Sequence, residues 1–133
     1  MSNFTQLEIE YMQGQPLGRL ATINEAGDPH VVPVGFRYNA ELDTIDIGGH
    51  NLSKSKKFHE AAQHGRVAFV IDDVLPPWKP RGVEVRGRAE THTAGGQAVN
   101  ADFDAELIRI FPERIIGWGL DSDAYKPNSR SVK

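Results

Sequence analysis

Turn-forming residues cut this chain at short intervals, and that spacing constrains its fold more than any other feature. The clusters at 24–29, 48–51, 74–80 and 93–96 are rich in glycine, proline, asparagine or aspartate, and Asn39 opens a further turn at 39–42. Glycine opens positive φ and proline removes a ladder donor, so each cluster favours a reversal or a break. Between them lie Leu17–Ile23, His30–Tyr38, Asp43–Gly49, Arg66–Asp72, Gly82–His92 and, near the end, Arg114–Leu120. These runs are rich in β-branched residues and read as strands. Ile45 and Ile47, and likewise Val83 and Val85, alternate with polar residues as in half-buried strands. Pro33 belongs at a sheet edge or a break in the ladder. Gly87 suggests a bulge at a barrel corner. About six strands in hairpin order predict a mainly β, α+β chain: a six-stranded antiparallel barrel that removes its own edges by closing.

Three helices are expected beside the strands. Asn3–Gln13 opens the chain, with Thr5 and Glu8 spaced as a capping box and Phe4, Leu7 and Tyr11 on one face. A second runs from an N-cap at Ser53 to His64, closed by Gly65, with Phe58, Ala61 and Ala62 as its apolar stripe. The spacing of Val99, Phe103, Leu107 and Ile110 predicts a third over Ala98–Phe111, stopped by Pro112. The tail 121–133 has little to bury and reads as loose, or as held by a partner surface.

The second helix carries its charges at the wrong end. Lys54, Lys56 and Lys57 crowd its start, where the dipole is positive and each cation costs roughly 0.3–1 kcal/mol. An anion bound there would reverse the sign, because free N–H groups and ammonium groups would face one charge. Three solvated surface lysines are the plain alternative. The net charge of −3 and the pI near 5.9 argue against a nucleic-acid partner and favour a small anion.

At 133 residues the chain suits a single domain, 1–133. No apolar run approaches the roughly 20 residues that span a bilayer, so no membrane partner is expected. The chain has no cysteine, which removes disulfides and thiolate metal sites, and a cytoplasmic location is expected. Metal-protease, nucleophile-elbow and Walker motifs are absent. Histidines 30, 50, 59, 64 and 92 are scattered. No isolated carboxylate suggests acid–base work, so no catalytic side chain is assigned. Hydride transfer from a bound organic cofactor needs none, since the protein then supplies position and electrostatics.

Three segments carry a resemblance. GRLATINEAGDPHVVPVGF resembles the opening hairpin of the pyridoxamine 5′-phosphate oxidase-like split β-barrels. SKKFHEAAQHGRVAFVID is similar to that family's Ser-Arg-Lys helix and following strand, and RGVEVRGRAE to its Arg-Gln-Val-Arg-Val-x-Gly strand. They occur in the family's order across residues 17–90. The resemblance implies a homodimer holding FMN or the deazaflavin coenzyme F420 between protomers. It implies that Ser55, Lys56 and Lys57 hold the cofactor phosphate, with His50 and Asn51 approaching it. It places the backbone of Val32, Pro33 and Val34 along the ring system and Trp78 on a loop against the ring. Two departures stand out: Lys56 replaces an arginine, and Gly82 stands where the oxidase proper has a flavin-binding glutamine. The Gly82 departure, together with the closing FPERIIGWGL, favours F420 over FMN.

The resulting expectation is an F420-dependent oxidoreductase acting on a small conjugated or quinone-like molecule. An FMN-dependent enzyme of the same fold and a non-catalytic flavin carrier are the alternatives. An oligonucleotide-binding barrel is a more distant one.

Overall fold

In the computed structural model, which describes residues 1–121 and 123–132, one antiparallel sheet holds all the strands of the described residues. They are β1 (Gly18–Ile23), β2 (Pro29–Asn39), β3 (Thr44–Gly48), β4 (Arg66–Leu75), β5 (Lys79–His92), β6 (Leu107–Trp118) and β7 (Asn128–Ser131). Helix α1 (Gln6–Gln13) precedes the sheet and α2 (Lys56–His64) joins β3 to β4. The spatial order is β3-β2-β1-β4-β5-β6-β7, and β3 pairs also with β6. That last pairing, Ile45 opposite Ile110 and Ile47 opposite Ile108, closes six strands into the expected barrel.

Alternation along the strands fills the interior. Val67, Phe69 and Ile71 point inward from β4, while Arg66, Ala68, Val70 and Asp72 face out. Leu20, Ile45, Ile47, Val83, Val85, Ile108, Ile110 and Ile115, none of them measurably exposed, complete the core. Each buried aliphatic side chain contributes about 1.5–3 kcal/mol, and Ile71→Ala would cost about 2–5 kcal/mol through the cavity it leaves.

The bulge falls at Gly87. The β5–β6 register shifts between Arg86 and Gly87, which face Arg114 and Pro112. A Cβ on Gly87 would lie 2.1 Å from the Phe111 carbonyl oxygen. Pro112, having no N–H to offer, sits where the ladder is already interrupted. Below the bulge β6 pairs with β3; beyond it, Arg114–Gly117 pairs with Asn128–Ser131 of β7.

Four local expectations are corrected. Residues 98–111 form no helix: a short 3-10 turn at Gly96–Ala98 leads to β6. Val99 and Phe103 cover β2 and β3 from outside, near Gly35 and Gly48, whereas Ile108 and Ile110 are needed to close the barrel. Tertiary pairing overrides the local period there. The tail supplies β7, and Arg130 on it reaches the buried carboxylate of Glu8. The capping box on α1 forms, with Thr5 Oγ1 accepting from Glu8 N–H at 3.1 Å and Glu8 Oε1 from Thr5 N–H at 2.8 Å. Yet Glu8, Tyr11 and Met12 are its buried face and Leu7 is left out, because Glu8 turns inward to Arg130. Finally, the break at 74–80 is shorter than expected, with Pro80 paired opposite Val74 inside the ladder.

Candidate anion-binding groove

Helix α2 begins two residues later than its sequence suggests. Leu52–Lys54 is a 3-10 turn anchored by fully buried Leu52 and entered through Asn51 in the left-handed region, φ 53°. Ser55, not Ser53, is the N-cap: its Oγ accepts from Phe58 N–H at 3.3 Å and donates to the Leu52 carbonyl at 2.6 Å. Lys56 and Lys57 therefore hold the first two helical positions, and no acidic residue shares that turn. Among the described residues no lysine lies within 4.0 Å of a carboxylate. The two first-turn cations oppose the helix dipole, and neither makes a salt bridge within 4.0 Å among the described residues, although the Lys56 charge is felt by Glu60 one turn on.

What they face is a gap in the sheet. On β2, only Gly35–Asn39 pairs with β3, so among the described residues the stretch Pro29–Val34 has β1 on one side and no strand on the other. A groove of about 520 Å³ runs between that free edge and the start of α2, lined by Thr22, Pro29, His30, Val31, Val32, Ser55, Lys56 and Lys57. Its size falls within the roughly 300–1,000 Å³ of small-molecule sites. Open backbone groups, apolar valines, a capping serine and two first-turn cations suit a ligand with a flat body and an anionic end.

Of the residues expected from the sequence, Val32, Ser55, Lys56 and Lys57 meet in this groove. Pro33 is exposed further along the same edge, and Val34 turns into the core. His50 packs edge-on against Phe103, ring centroids 5.4 Å apart, and Asn51 N–H donates to Asp104 Oδ2 at 2.7 Å. Those two shape the turn before α2 and do not line the groove. Trp78 sits at the tip of the β4–β5 hairpin, 67% exposed, donating to the Tyr125 hydroxyl at 2.9 Å. The groove lies level with Ala68, so seven strand residues, roughly 23 Å, separate it from that hairpin tip.

Two groups in the wall, Thr22 and His30, and the buried Glu60 behind them escaped the sequence reading. Thr22 Oγ1 donates to Glu60 Oε1 at 2.6 Å, and His30 Nδ1 lies 2.9 Å from Glu60 Oε2. The hydrogen bond from Thr22, then that from His30 and the nearby Lys56 charge, outweigh burial and hold the Glu60 carboxyl below the usual glutamate range. Only the pairing of Thr22 with His30 was foreseeable, from a hairpin turn centred on 24–28.

Two further features bear on ligand and partner. A Cβ on Gly82 would lie 2.4 Å from Trp118 Cζ2, so the indole fills the space a longer residue would need. Outside the barrel, Val31, Ala21 and Ala68 stand side by side on neighbouring strands, with Val31 67% exposed and Ile23 close by. Among the described residues there is no cluster of metal-binding side chains and no helix long and apolar enough to cross a membrane.

Comparison with known proteins gives a consistent picture. The profile of the pyridoxamine 5′-phosphate oxidase family matches residues 6–132. A 5a,11a-dehydrotetracycline/5a,11a-dehydrooxytetracycline reductase of Streptomyces rimosus is 43% identical over 122 residues, which span 90% of this chain and 86% of that protein. The FAD binding protein from Mycobacterium smegmatis superposes with a TM-score of 0.66 at 22% identity, covering 88% of this chain and 96% of its own. General Stress Protein 26 from Bacillus anthracis gives 0.70 at 18% identity, covering 96% and 97%. At these identities the solved structures establish the shared fold.

Proposed function

This chain belongs to the pyridoxamine 5′-phosphate oxidase family, and from that premise we propose that it is an oxidoreductase using the deazaflavin coenzyme F420. Its substrate is a small conjugated or quinone-like molecule. The observation that carries this reading is the pair of cations, Lys56 and Lys57, without a salt bridge among the described residues, at a helix start beside an open strand edge. Ser55, Lys56 and Lys57 would hold the coenzyme phosphate by charge-assisted hydrogen bonds. The edge at Val32, Pro33 and Val34 would lie along the ring, and the turn through His50 and Asn51 presents Ser55. When bound, the coenzyme supplies the hydride; the chain supplies position and field.

Two observations support the finer points. Trp118 occupies the space beside Gly82, leaving no room for the glutamine on which the FMN alternative draws. The related protein from Streptomyces rimosus is by its name a reductase, which supports reduction as the direction of catalysis. The outward row Val31–Ala21–Ala68 supports a homodimer, because a second copy would cover apolar surface otherwise left in water. Trp78, remote from the groove of its own chain, would then serve the partner's.

Titration of the purified protein against F420 and against FMN, followed by coenzyme fluorescence, tests the reading. Saturable binding of F420 in preference to FMN, with turnover of the reduced coenzyme on a quinone panel, is the expected result. Preference for FMN would overturn the cofactor assignment. Tight binding without turnover would make the protein a carrier.

A further inference from the structure

The side chain of His30 lines the groove, and the family reading gives it no task. It is 39% exposed, and its Nδ1 lies 2.9 and 3.2 Å from the two oxygens of Glu60. Glu60 is only 10% exposed in its side chain and already accepts the Thr22 hydroxyl. As a carboxylate it can only accept, so the proton between the two must sit on Nδ1. That fixes the imidazole's orientation through a carboxylate–histidine contact and leaves Nε2 as its free nitrogen. No protein partner for Nε2 occurs among the described residues, and His30 lines the groove together with Lys56 and Lys57. The charged groups packed around it, Glu60, Lys56 and Lys57, all come from α2; β1 offers only the uncharged Thr22.

We propose that His30 is an additional ligand of the bound anion, donating from Nε2 in its imidazolium form, so that coenzyme binding takes up a proton. The proposal rests on the anionic coenzyme reading of this groove. With Nδ1–H committed to Glu60, neutral His30 presents a lone pair at Nε2 and repels an anion. The imidazolium presents an N–H and a positive charge instead. An anion held by Lys56 and Lys57 favours the charged form. Affinity for a phosphate-bearing coenzyme should therefore rise as pH falls while Glu60 remains ionised.

The test compares wild type, His30→Gln and Lys57→Ala by calorimetric titration with F420 and FMN between about pH 5.5 and 8.5, in buffers of differing ionisation heat. Ionisations of the coenzymes are common to all three proteins and cancel in the comparison. The expected result is net proton uptake by wild type that His30→Gln lacks, with an affinity roughly tenfold lower for the variant at the acid end and convergence at the alkaline end. Nitrogen-15 spectra of the ligand-free wild type should show the His30 proton on Nδ1, and coenzyme addition should shift Nε2 toward the protonated form. Equal proton uptake and equal affinity in His30→Gln would overturn the proposal. So would unaltered affinity with loss of a turnover pH limb, which would make the imidazole a proton donor to substrate. If no coenzyme binds wild type at all, the anionic coenzyme reading itself has failed. Binding that Lys57→Ala weakens and His30→Gln does not would leave that reading standing without His30.

Discussion

Arg109 on β6 holds Asp46 on β3 through two N–H···O contacts, 2.9 and 3.0 Å long, across the seam that closes the barrel. Asp46 is 1% exposed in its side chain and also accepts from Asn39 and Thr44. Burial pushes its carboxyl up, but the hydrogen bonds from Arg109 and Asn39 and the guanidinium charge hold it below the ordinary aspartate value. A depressed folded-state value means that the contribution is fully present above the unfolded pKa of about 3.9 and fades as pH falls through the folded one. Arg109→Met should lower stability by about 3–5 kcal/mol at neutral pH, by stranding a buried charge. The deficit should shrink in acid as Asp46 protonates. Urea midpoints at neutral and acid pH check both.

The first turn of α2 makes a paired prediction. Lys57→Ala should weaken coenzyme binding by about 1.5–3 kcal/mol, the loss of a charge-assisted contact. It should also raise the melting temperature of the ligand-free protein by about 1–3 °C, since it removes a cation from the positive end of a helix dipole. Fluorescence titration and a thermal melt on one sample measure both. An unaltered affinity would detach the anion from this helix.

Arg130 brings β7 to α1. It donates to Glu8 Oε2 at 3.1 Å, meets Oε1 more closely still, and holds the Asn3 carbonyl at 3.0 Å. Glu8 is 3% exposed in its side chain. Arg130→Ala should cost about 3–5 kcal/mol, read from chemical denaturation. Arg130→Lys should recover only part, because an ammonium cannot reproduce the two-pronged contact.

Gly82→Gln should not introduce a usable flavin contact. Its Cβ would lie 2.4 Å from Trp118 and 2.8 Å from the Ile71 carbonyl oxygen. Destabilisation by about 1–3 kcal/mol is expected, partly relieved in combination with Trp118→Ala. FMN affinity of each variant, measured beside its denaturation midpoint, separates strain from recognition.

Val31 tests the homodimer. A charge on the outward apolar row, Val31→Asp, should give a sedimenting species of 14.7 kDa, whereas the proposed homodimer predicts twice that mass for wild type. An unaltered mass would move the interface elsewhere.

Much of this was legible in the sequence, because most of the barrel is built from neighbours. Hairpins β1–β2, β2–β3 and β4–β5 join adjacent runs, so turn residues and alternation were enough to place them. The barrel seam was not legible. Ile108 and Ile110 are strand residues because they face Ile47 and Ile45, more than sixty positions earlier, while the spacing Val99–Phe103–Leu107–Ile110 fits a helix equally well. In the site, the first-turn lysines were visible as a charge set against a dipole. The Thr22–Glu60–His30 contact was not, since it joins three elements whose only common property is their position in the fold.

The seam also dictates an order of events for a growing chain. Until residue 107 has been made, β3 has no second neighbour and presents a bare backbone edge. Chains ending before β6 should accordingly stick to one another rather than settle into a smaller barrel. Fusions and tags are safest where β7 has already been passed.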